Sequence, residues 1–431
     1  MSADACTGVD GKRQETRAAP CTPENGESKQ MHCLLLSDTF PNGLQPWRGP
    51  YNRYQVEQIA KWCDLTVVNP FPWTDVARNP RKLSLLWKHD SVLDDINLYH
   101  PLMGHVPIIG RRRNWRAILK AAKRTVKRKV SREIDLLLAT FAYPHGMAAR
   151  QLSNEWSVPY VVKTRGSDLH NLAKSAVMRD RLRETLTGAA RVVCVSKNLR
   201  GIAIDLGVRP DRVHVLHNGI DSDSYDILER DEARRRLGLR RDLKLIFFLG
   251  SLLPVKGLDV LIDALSTMKQ RTDQLFFTCA IGGDGPLRTS LETRLQRNGC
   301  GSGTRLIGRV DRENVSTWMN AADVLVLPSR NEGCPNVVLE ALACGTPVVA
   351  SNVGAVPDLL DNGCGIQVPP EDPDALANAL QTALTRGWDR EEIRSRVKNM
   401  SWEDNAARLH EILQEACGYH SLPLRGLTGS N

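Results

Sequence analysis

The sequence predicts an α/β protein made of two consecutive, doubly wound parallel domains that face each other across a cleft. Three observations lead there. Short apolar runs alternate with helix-length segments from Met31 onward. A polar, charged stretch over residues 221–242 interrupts that rhythm once, after which it restarts. The length, 431 residues, is enough for two or three domains. Strands that alternate with helices imply a parallel sheet covered on both faces. Such sheets take ligands beyond the carboxyl ends of their strands, so two of them would share a site in the cleft.

In the first half the strand-sized runs are residues 32–37, 65–69, 135–139, 160–163, 191–195 and 212–216. In the second they are 244–250, 275–282, 305–307, 324–327, 347–351 and 365–368. The expected organisation is a disordered tail over 1–30, a first domain over 31–222 and a second over 223–400. A final helix within 401–419, about residues 402–417, would return to the first domain. The tail is rich in Thr, Glu, Lys and Pro and lacks the apolar core of a signal peptide. With 42% hydrophobic and 25% charged residues the composition is that of a globular protein and excludes a fibrous or wholly disordered chain. No run approaches the roughly eighteen apolar residues of a membrane span. The eleven cysteines are scattered and never in C-x-x-C spacing, which argues against a zinc site or a disulfide scaffold and for a reducing cytoplasm.

The formal charge of +9 is concentrated in one place. Residues 111–132 hold eleven Lys or Arg and no acid, inside a long excursion over 71–132 of the first domain. Trp115, Ile118, Leu119, Ala122, Val126 and Val130 recur there at three- and four-residue steps, so as a helix the segment would carry an apolar stripe flanked by cations. Arg112, Arg116, Lys120, Lys123 and Lys127 are the candidates for an anionic membrane surface. A solvated charged face is an equally good reading of the same run. Nucleic acid is not expected, because zinc-finger spacing, an RNP-like string and interleaved aromatics are missing from the sequence.

The chemistry concentrates in LPSRNEGCPNVVLEALACGTPVVASNVG, residues 327–354. Pro335 suits the first position of a helix, where its missing N–H costs nothing. The N–H groups of that helix start, with those of Gly333 and Cys334, and the helix dipole make an anion site suited to a diphosphate. Asn336 and Glu340 share one helix face at i, i+4, and Val338 and Leu342 lie on another. Two acids beside a diphosphate would repel it. They make sense as acceptors for sugar hydroxyls, Glu332 for a transferred sugar and Glu340 for a ribose. In FLGSLLPVKG, residues 248–257, a strand end delivers Lys256, whose ammonium can neutralise a departing diphosphate. The string is not a Walker A loop, since Gly257 follows the lysine, and GGDGP at 282–286 is not a dinucleotide fingerprint.

E-G-x-P-x-x-x-x-E followed by A-x-A-x-G-x-P-V-V-A resembles the nucleotide-sugar site of the family-4 retaining glycosyltransferases of GT-B fold, with their E-x7-E motif. NGID at 218–221, FLGSLLPVKG, GGDGP and AADVLVLPS at 321–329 extend the resemblance over residues 31–417, and AYPHGMAAR around His145 resembles the exopolysaccharide and teichuronic-acid branch. It implies the GT-B fold, with two Rossmann-like domains. It also implies donor contacts at Gly49, Asn218, Gly250, Ser251, Lys256, Gly283, Val310, Gly333, Cys334, Pro335, Asn336, Val337 and Glu340. Ser251 stands where many relatives carry an arginine that grips the diphosphate. KTRGSDLH, residues 163–170, matches an H-G-x-D position, with Arg165 in place of His. Glu332, Lys256, His145 and Arg165 are the catalytic candidates, and Gly43 and Asp168 belong to the acceptor side. The glycine loop of Gly43 and Gly49 reads equally as a plain turn. A histidine at a strand end, such as His145, is more often a structural residue than a catalytic one.

The resemblance implies transfer of a sugar from a uridine- or guanosine-diphosphate sugar to a hydroxyl of a glycan or lipid-linked acceptor, in cell-surface polysaccharide synthesis. Retention would follow from same-face attack. Neither a cofactor nor a metal is expected, and the location would be cytoplasmic, peripheral on the inner face of the membrane. The alternatives are another GT-B sugar-nucleotide enzyme such as an epimerase, or an inactive transferase that binds anionic membranes.

Overall fold

The computed structural model describes residues 30–41, 49–77, 91–93, 96–104, 113–170, 172–271 and 276–418. The tail expected over 1–30, Gln30 apart, and the candidates Gly43 and Arg112 lie outside the described residues. The first ten strands in chain order are β1 His32–Leu36, β2 Asp64–Val68, β3 Phe71–Pro72, β4 Ser91–Leu93, β5 Ile96–Tyr99, β6 Leu102–Met103, β7 Leu136–Ala139, β8 Tyr160–Thr164, β9 Arg191–Cys194 and β10 Val213–Val215. Six more follow: β11 Lys244–Leu249, β12 Phe277–Gly282, β13 Thr304–Gly308, β14 Val324–Leu327, β15 Val348–Ser351 and β16 Gly365–Val368.

They form two main sheets. The first has the order β10-β9-β8-β7-β1-β2-β5-β4 and is parallel except for β4, which runs antiparallel to β5 at the edge. The second has the order β13-β12-β11-β14-β15-β16 and is parallel throughout. Helices cover both faces, which is why the central strands read as continuous apolar runs instead of alternating. All residues of HCLLL in β1, LLLA in β7 and VLVL in β14 are buried.

Two features differ from the sequence reading. The excursion over 71–132 contributes strands of its own: β5 hydrogen-bonds to β2 and extends the first sheet, and β3 and β6 form a two-residue ladder. In β5 only Ile96 and Leu98 are buried while Asn97 faces out, a pattern too short and too polar to register as a buried strand. The basic segment forms the helix Asn114–Lys129, but its apolar stripe is not available to a bilayer. Ile118 and Ala122 are fully buried in the core of the first sheet, with Trp115, Leu119 and Val126 packed around them. The outer face keeps the charge: Arg116, Lys120 and Lys127 are exposed, and Lys123 pairs with Glu155. Among the described residues no helix is long and apolar enough to cross a membrane.

The chain crosses between the sheets twice, and the two crossings are paired. The Ile220 N–H donates to the Met400 carbonyl at 2.8 Å and the Trp402 N–H returns to the Ile220 carbonyl at 3.1 Å. Gly219 allows this approach, since a Cβ there would lie 2.7 Å from the Trp402 backbone. A capping box of Ser401 and Asp404 then starts the helix Trp402–Cys417. Although this helix follows the second sheet, its buried Leu409, Ile412 and Leu413 pack into the first, beside Val56 and Ile59 of the helix Pro50–Ile59. Leu409→Ala should therefore lower stability by about 2–5 kcal/mol, read from the urea midpoint. A midpoint equal to that of the parent chain would mean that the helix does not hold the first sheet.

Candidate active site

Each sheet has a switch point where consecutive crossovers depart to opposite sides. In the second sheet it lies between β11 and β14, with β12 on one flank and β15 on the other; in the first it lies between β1 and β7. Loops that leave such neighbours diverge and open a crevice at the strand ends. The loop after β11 carries Gly250, Ser251 and Lys256, and the loop after β14 carries Glu332. Two glycines let these loops stack. A Cβ on Gly257, at φ 64°, would lie 2.0 Å from the Pro328 carbonyl oxygen, and one on Gly283, at φ 130°, would lie 1.8 Å from that of Gly250.

Lys256 and Glu332, 76 residues apart in sequence, meet in this crevice with Nζ 2.6 Å from Oε1. Ser329 donates its hydroxyl to the same carboxylate oxygen at 2.7 Å. Both charged side chains are largely buried, so the pair is little screened by solvent. Arg330 fastens the two loops from behind. Its guanidinium grips Asp259 with two bonds of 2.9 and 2.7 Å, reaches Glu371 at 2.7 Å and donates to the Pro254 carbonyl. Those acceptors hold Arg330 above the ordinary arginine range. Sequence reasoning missed Arg330, because its acceptors are tens of residues away and no spacing announces them.

The helix behind Glu332 runs Asn336–Ala343, with Pro335 as its N-cap at φ −75°, ψ 109°. Pro335, expected as the first helical residue, therefore stands one position before it. The loop is pinned there: Asn218 donates from Nδ2 to the Cys334 carbonyl at 3.1 Å and to Asn336 Oδ1 at 2.9 Å, and its backbone N–H faces Cys334 Sγ at 3.4 Å. Burial pushes the Cys334 thiol up to about 12, which keeps it protonated and unreactive at neutral pH. Gly333 presses on the opposite wall, and a Cβ there would lie 1.8 Å from the Arg165 carbonyl oxygen. Val337 packs at the margin of the second core.

Asn336 and Glu340 both line a cavity of about 390 Å³ between the sheets, while Val338 and Leu342 of the same helix are fully buried. Tyr51 and Tyr54 close the cavity from the first-sheet side, and Asp221, Leu249, Val310 and Arg312 line it from the other. Glu340 is only 4% exposed. Tyr51 donates its hydroxyl to Oε1 at 2.8 Å and Tyr225 supplies a second bond. Burial raises the Glu340 carboxyl above the usual range despite these donors. A larger cavity of about 800 Å³ lies behind Arg330, against the helix Arg288–Arg297, and touches none of Lys256, Glu332 or Glu340.

On the first-sheet wall, Gly49 adopts φ 63° where a Cβ would lie 2.1 Å from the Thr39 carbonyl oxygen, and Asn52 donates to Thr39 Oγ1 at 2.6 Å. His145 is fully buried, with Nε2 3.5 Å from Asp38 Oδ1. Asp38, at the end of β1, is the partly exposed member of that pair, and sequence reasoning did not single it out. Asp168, expected on the acceptor side, is turned into the protein. It is 3% exposed, and its oxygens accept from the N–H groups of Ala142 (2.9 Å), Arg165 (3.1 Å) and Gly166 (3.0 Å). Its carboxylate ties the loop after β7 to the loop after β8. Arg165 is half-buried, and its Nε has no hydrogen-bond partner among the described residues. Burial brings its guanidinium down to about 10. Beside it, Lys163 is buried and donates to Gln55 Oε1 at 3.0 Å; burial and the neighbouring Arg165 hold its ammonium well below the lysine range.

Similarity to known proteins falls on the same elements. The model of the glycosyl transferases group 1 matches residues 243–386, and that of glycosyltransferase family 4 matches residues 88–224. TuaC of Bacillus subtilis, named for teichuronic acid biosynthesis, is 29% identical over 365 residues, which are 81% of this chain and 88% of that protein. A D-inositol 3-phosphate glycosyltransferase of Xylanimonas cellulosilytica is 31% identical over 298 residues, 63% of this chain and 70% of its own. Among solved structures, Anabaena HepE in complex with UDP superimposes with a TM-score of 0.67 at 20% identity, covering 89% of this chain and 100% of that one.

The Gly333 contact yields a direct check on the closed arrangement of the walls. Gly333→Ala should force the loops apart and cost about 1–3 kcal/mol of thermal stability while circular dichroism stays that of the folded chain. A melting temperature equal to that of the parent would mean that the walls do not touch there.

Proposed function

The chain belongs to the glycosyltransferases of group 1 and family 4, and from that premise we propose that it moves a sugar from a nucleotide-diphosphate sugar to a hydroxyl of a glycan or lipid-linked acceptor, with retention of anomeric configuration. The observation that carries the reading is the meeting of Lys256 and Glu332 at the switch point, beside the start of the helix Asn336–Ala343 and between two facing sheets.

The donor diphosphate would lie at the helix start, where the first N–H groups have no intrahelical acceptor and the dipole favours an anion. Lys256 would neutralise the charge that grows on the leaving phosphate oxygen as the glycosidic bond lengthens. Glu332, relieved of Lys256, would accept from hydroxyls of the transferred sugar, and Glu340 from the ribose. Asn336, oriented by Asn218, would reach the diphosphate. The anomeric carbon–phosphate oxygen bond breaks and the bond to the acceptor oxygen forms on the same face. The acceptor proton passes to the departing phosphate oxygen. On this reading cationic side chains and the helix start supply the phosphate neutralisation, and activity should persist in the presence of a chelator.

The complex of the structural neighbour with UDP makes a uridine diphosphate sugar the first donor to try. The name of the Bacillus relative supports a place in cell-surface polysaccharide synthesis. The exposed cations of the helix Asn114–Lys129 support a peripheral location on the inner face of the membrane, through charge rather than through its buried apolar stripe.

Thermal-shift measurements with uridine, guanosine and adenosine diphosphate sugars, without added metal, test the reading. A donor at about one hundred times its dissociation constant should stabilise the chain by about 2.7 kcal/mol. Lys256→Ala should lose that shift and reduce turnover by about two to three orders of magnitude. Absence of any nucleotide-sugar shift would overturn the assignment. For the membrane contact, replacing Arg116, Lys120 and Lys127 together by Gln should weaken sedimentation with anionic liposomes by about a hundredfold. Binding that survives the triple substitution would remove this helix from the contact.

A further inference from the structure

We propose that Tyr51 is a latch on the donor site: its hydroxyl occupies the carboxylate of Glu340, and an entering ribose takes its place and releases the helix Pro50–Ile59 from the second sheet. The inference rests on the reading of Glu340 as the ribose acceptor.

Glu340 has two phenolic donors of different origin. Tyr225 belongs to the same half of the chain as Glu340 and packs in its core, so it stays with the carboxylate whatever the cleft does. Tyr51 comes from the opposite wall, 289 residues away in sequence, and bonds Oε1 at 2.8 Å. One helical turn on, Tyr54 makes a second contact across the cleft. The Arg312 guanidinium lies 4.2 Å from its ring centroid and is itself held by Asp221 at 2.9 Å. At i and i+3 the two tyrosines share a helix face, and that face forms one side of the 390 Å³ cavity. Tyr51 also shares a side-chain hydrogen bond with Asn336, and these contacts of the helix with the second half of the chain sit inside the space a nucleoside needs.

A carboxylate this buried requires donors. With Tyr51 in place it has two. A ribose diol offers two hydroxyl donors to the position Tyr51 fills, so ribose and Tyr51 compete for Glu340 and do not add. The exchange reaches the acceptor side through one rigid element. The same helix begins at Gly49, packed on Thr39 next to the Asp38–His145 pair, and its Gln55 links Lys163 to Asn405 of the final helix, at 3.0 and 2.6 Å. Donor occupancy would thus be felt at the loop that carries Asp38.

Isothermal titration of the full-length chain with uridine diphosphate and guanosine diphosphate tests the latch. Tyr51→Phe keeps the ring and removes the competing hydroxyl, so the nucleotide that binds should bind about tenfold tighter. A gain of affinity is not a result that local damage produces. Glu340→Ala, which removes the acceptor, should weaken binding, and in that background Tyr51→Phe should have no further effect. Unchanged or weaker binding by Tyr51→Phe, with Glu340→Ala still impaired, overturns the latch and leaves the ribose reading standing. Unimpaired binding by Glu340→Ala overturns the ribose reading and the latch with it.

Discussion

The architecture of the cleft depends on one backbone contact that tolerates no side chain. Gly333, between Glu332 and the start of the helix Asn336–Ala343, lies against Arg165 and Gly166 of the opposite sheet, and a Cβ on either glycine would penetrate its neighbour. Because the loops meet as bare backbone, the switch points of two sheets face each other closely enough for side chains of one wall to reach the other. Tyr51 reaches Glu340, Arg312 lies over Tyr54, and the Lys197 N–H donates to Asp358 at 2.8 Å. The paired crossings at Ile220 and Ser401 set the distance from the hinge side.

Closeness makes the electrostatics workable. Two acids beside a helix N-terminus would repel a diphosphate if both were exposed and unpaired. The structure deals with them separately. Glu332 carries its own counter-ion, Lys256, at 2.6 Å. Glu340 is withdrawn into an apolar cavity and held by two phenols, where burial disfavours its charge. On the other wall, Arg165 is a desolvated guanidinium next to the same helix start, and the carboxylate nearest it, Asp168, is occupied by three backbone N–H groups. Arg165 therefore adds positive charge beside the positive end of the helix dipole.

Much of this was readable from the chain alone. The strands β7 and β14 are apolar throughout, because strands covered on both faces bury every residue, and that signal needs no partner to be seen. The E-x7-E spacing placed Asn336 and Glu340 on one face of a helix, and the stretch before it carried Glu332 and Gly333 into the same loop. The limits were equally physical. β5 alternates over four residues at the margin of a sheet, below what periodicity resolves. Pro335 became the N-cap instead of the first helical residue, in a loop whose Cys334 carbonyl is held by Asn218, more than a hundred residues earlier.

Sequence by itself determined the strands outside the excursion over 71–132, which glycines end them and which acids, lysine and proline lie in the loops, since those properties follow from local periodicity and backbone freedom. Tertiary structure alone decided what each side chain does. Asp168 became a tie between loops, the stripe of the helix Asn114–Lys129 became core, and Asp38, Arg330 and Tyr51 acquired partners in distant segments. Local pattern encodes which face of an element is apolar. It does not encode what comes to rest against that face, because that is set by contacts between segments tens to hundreds of residues apart.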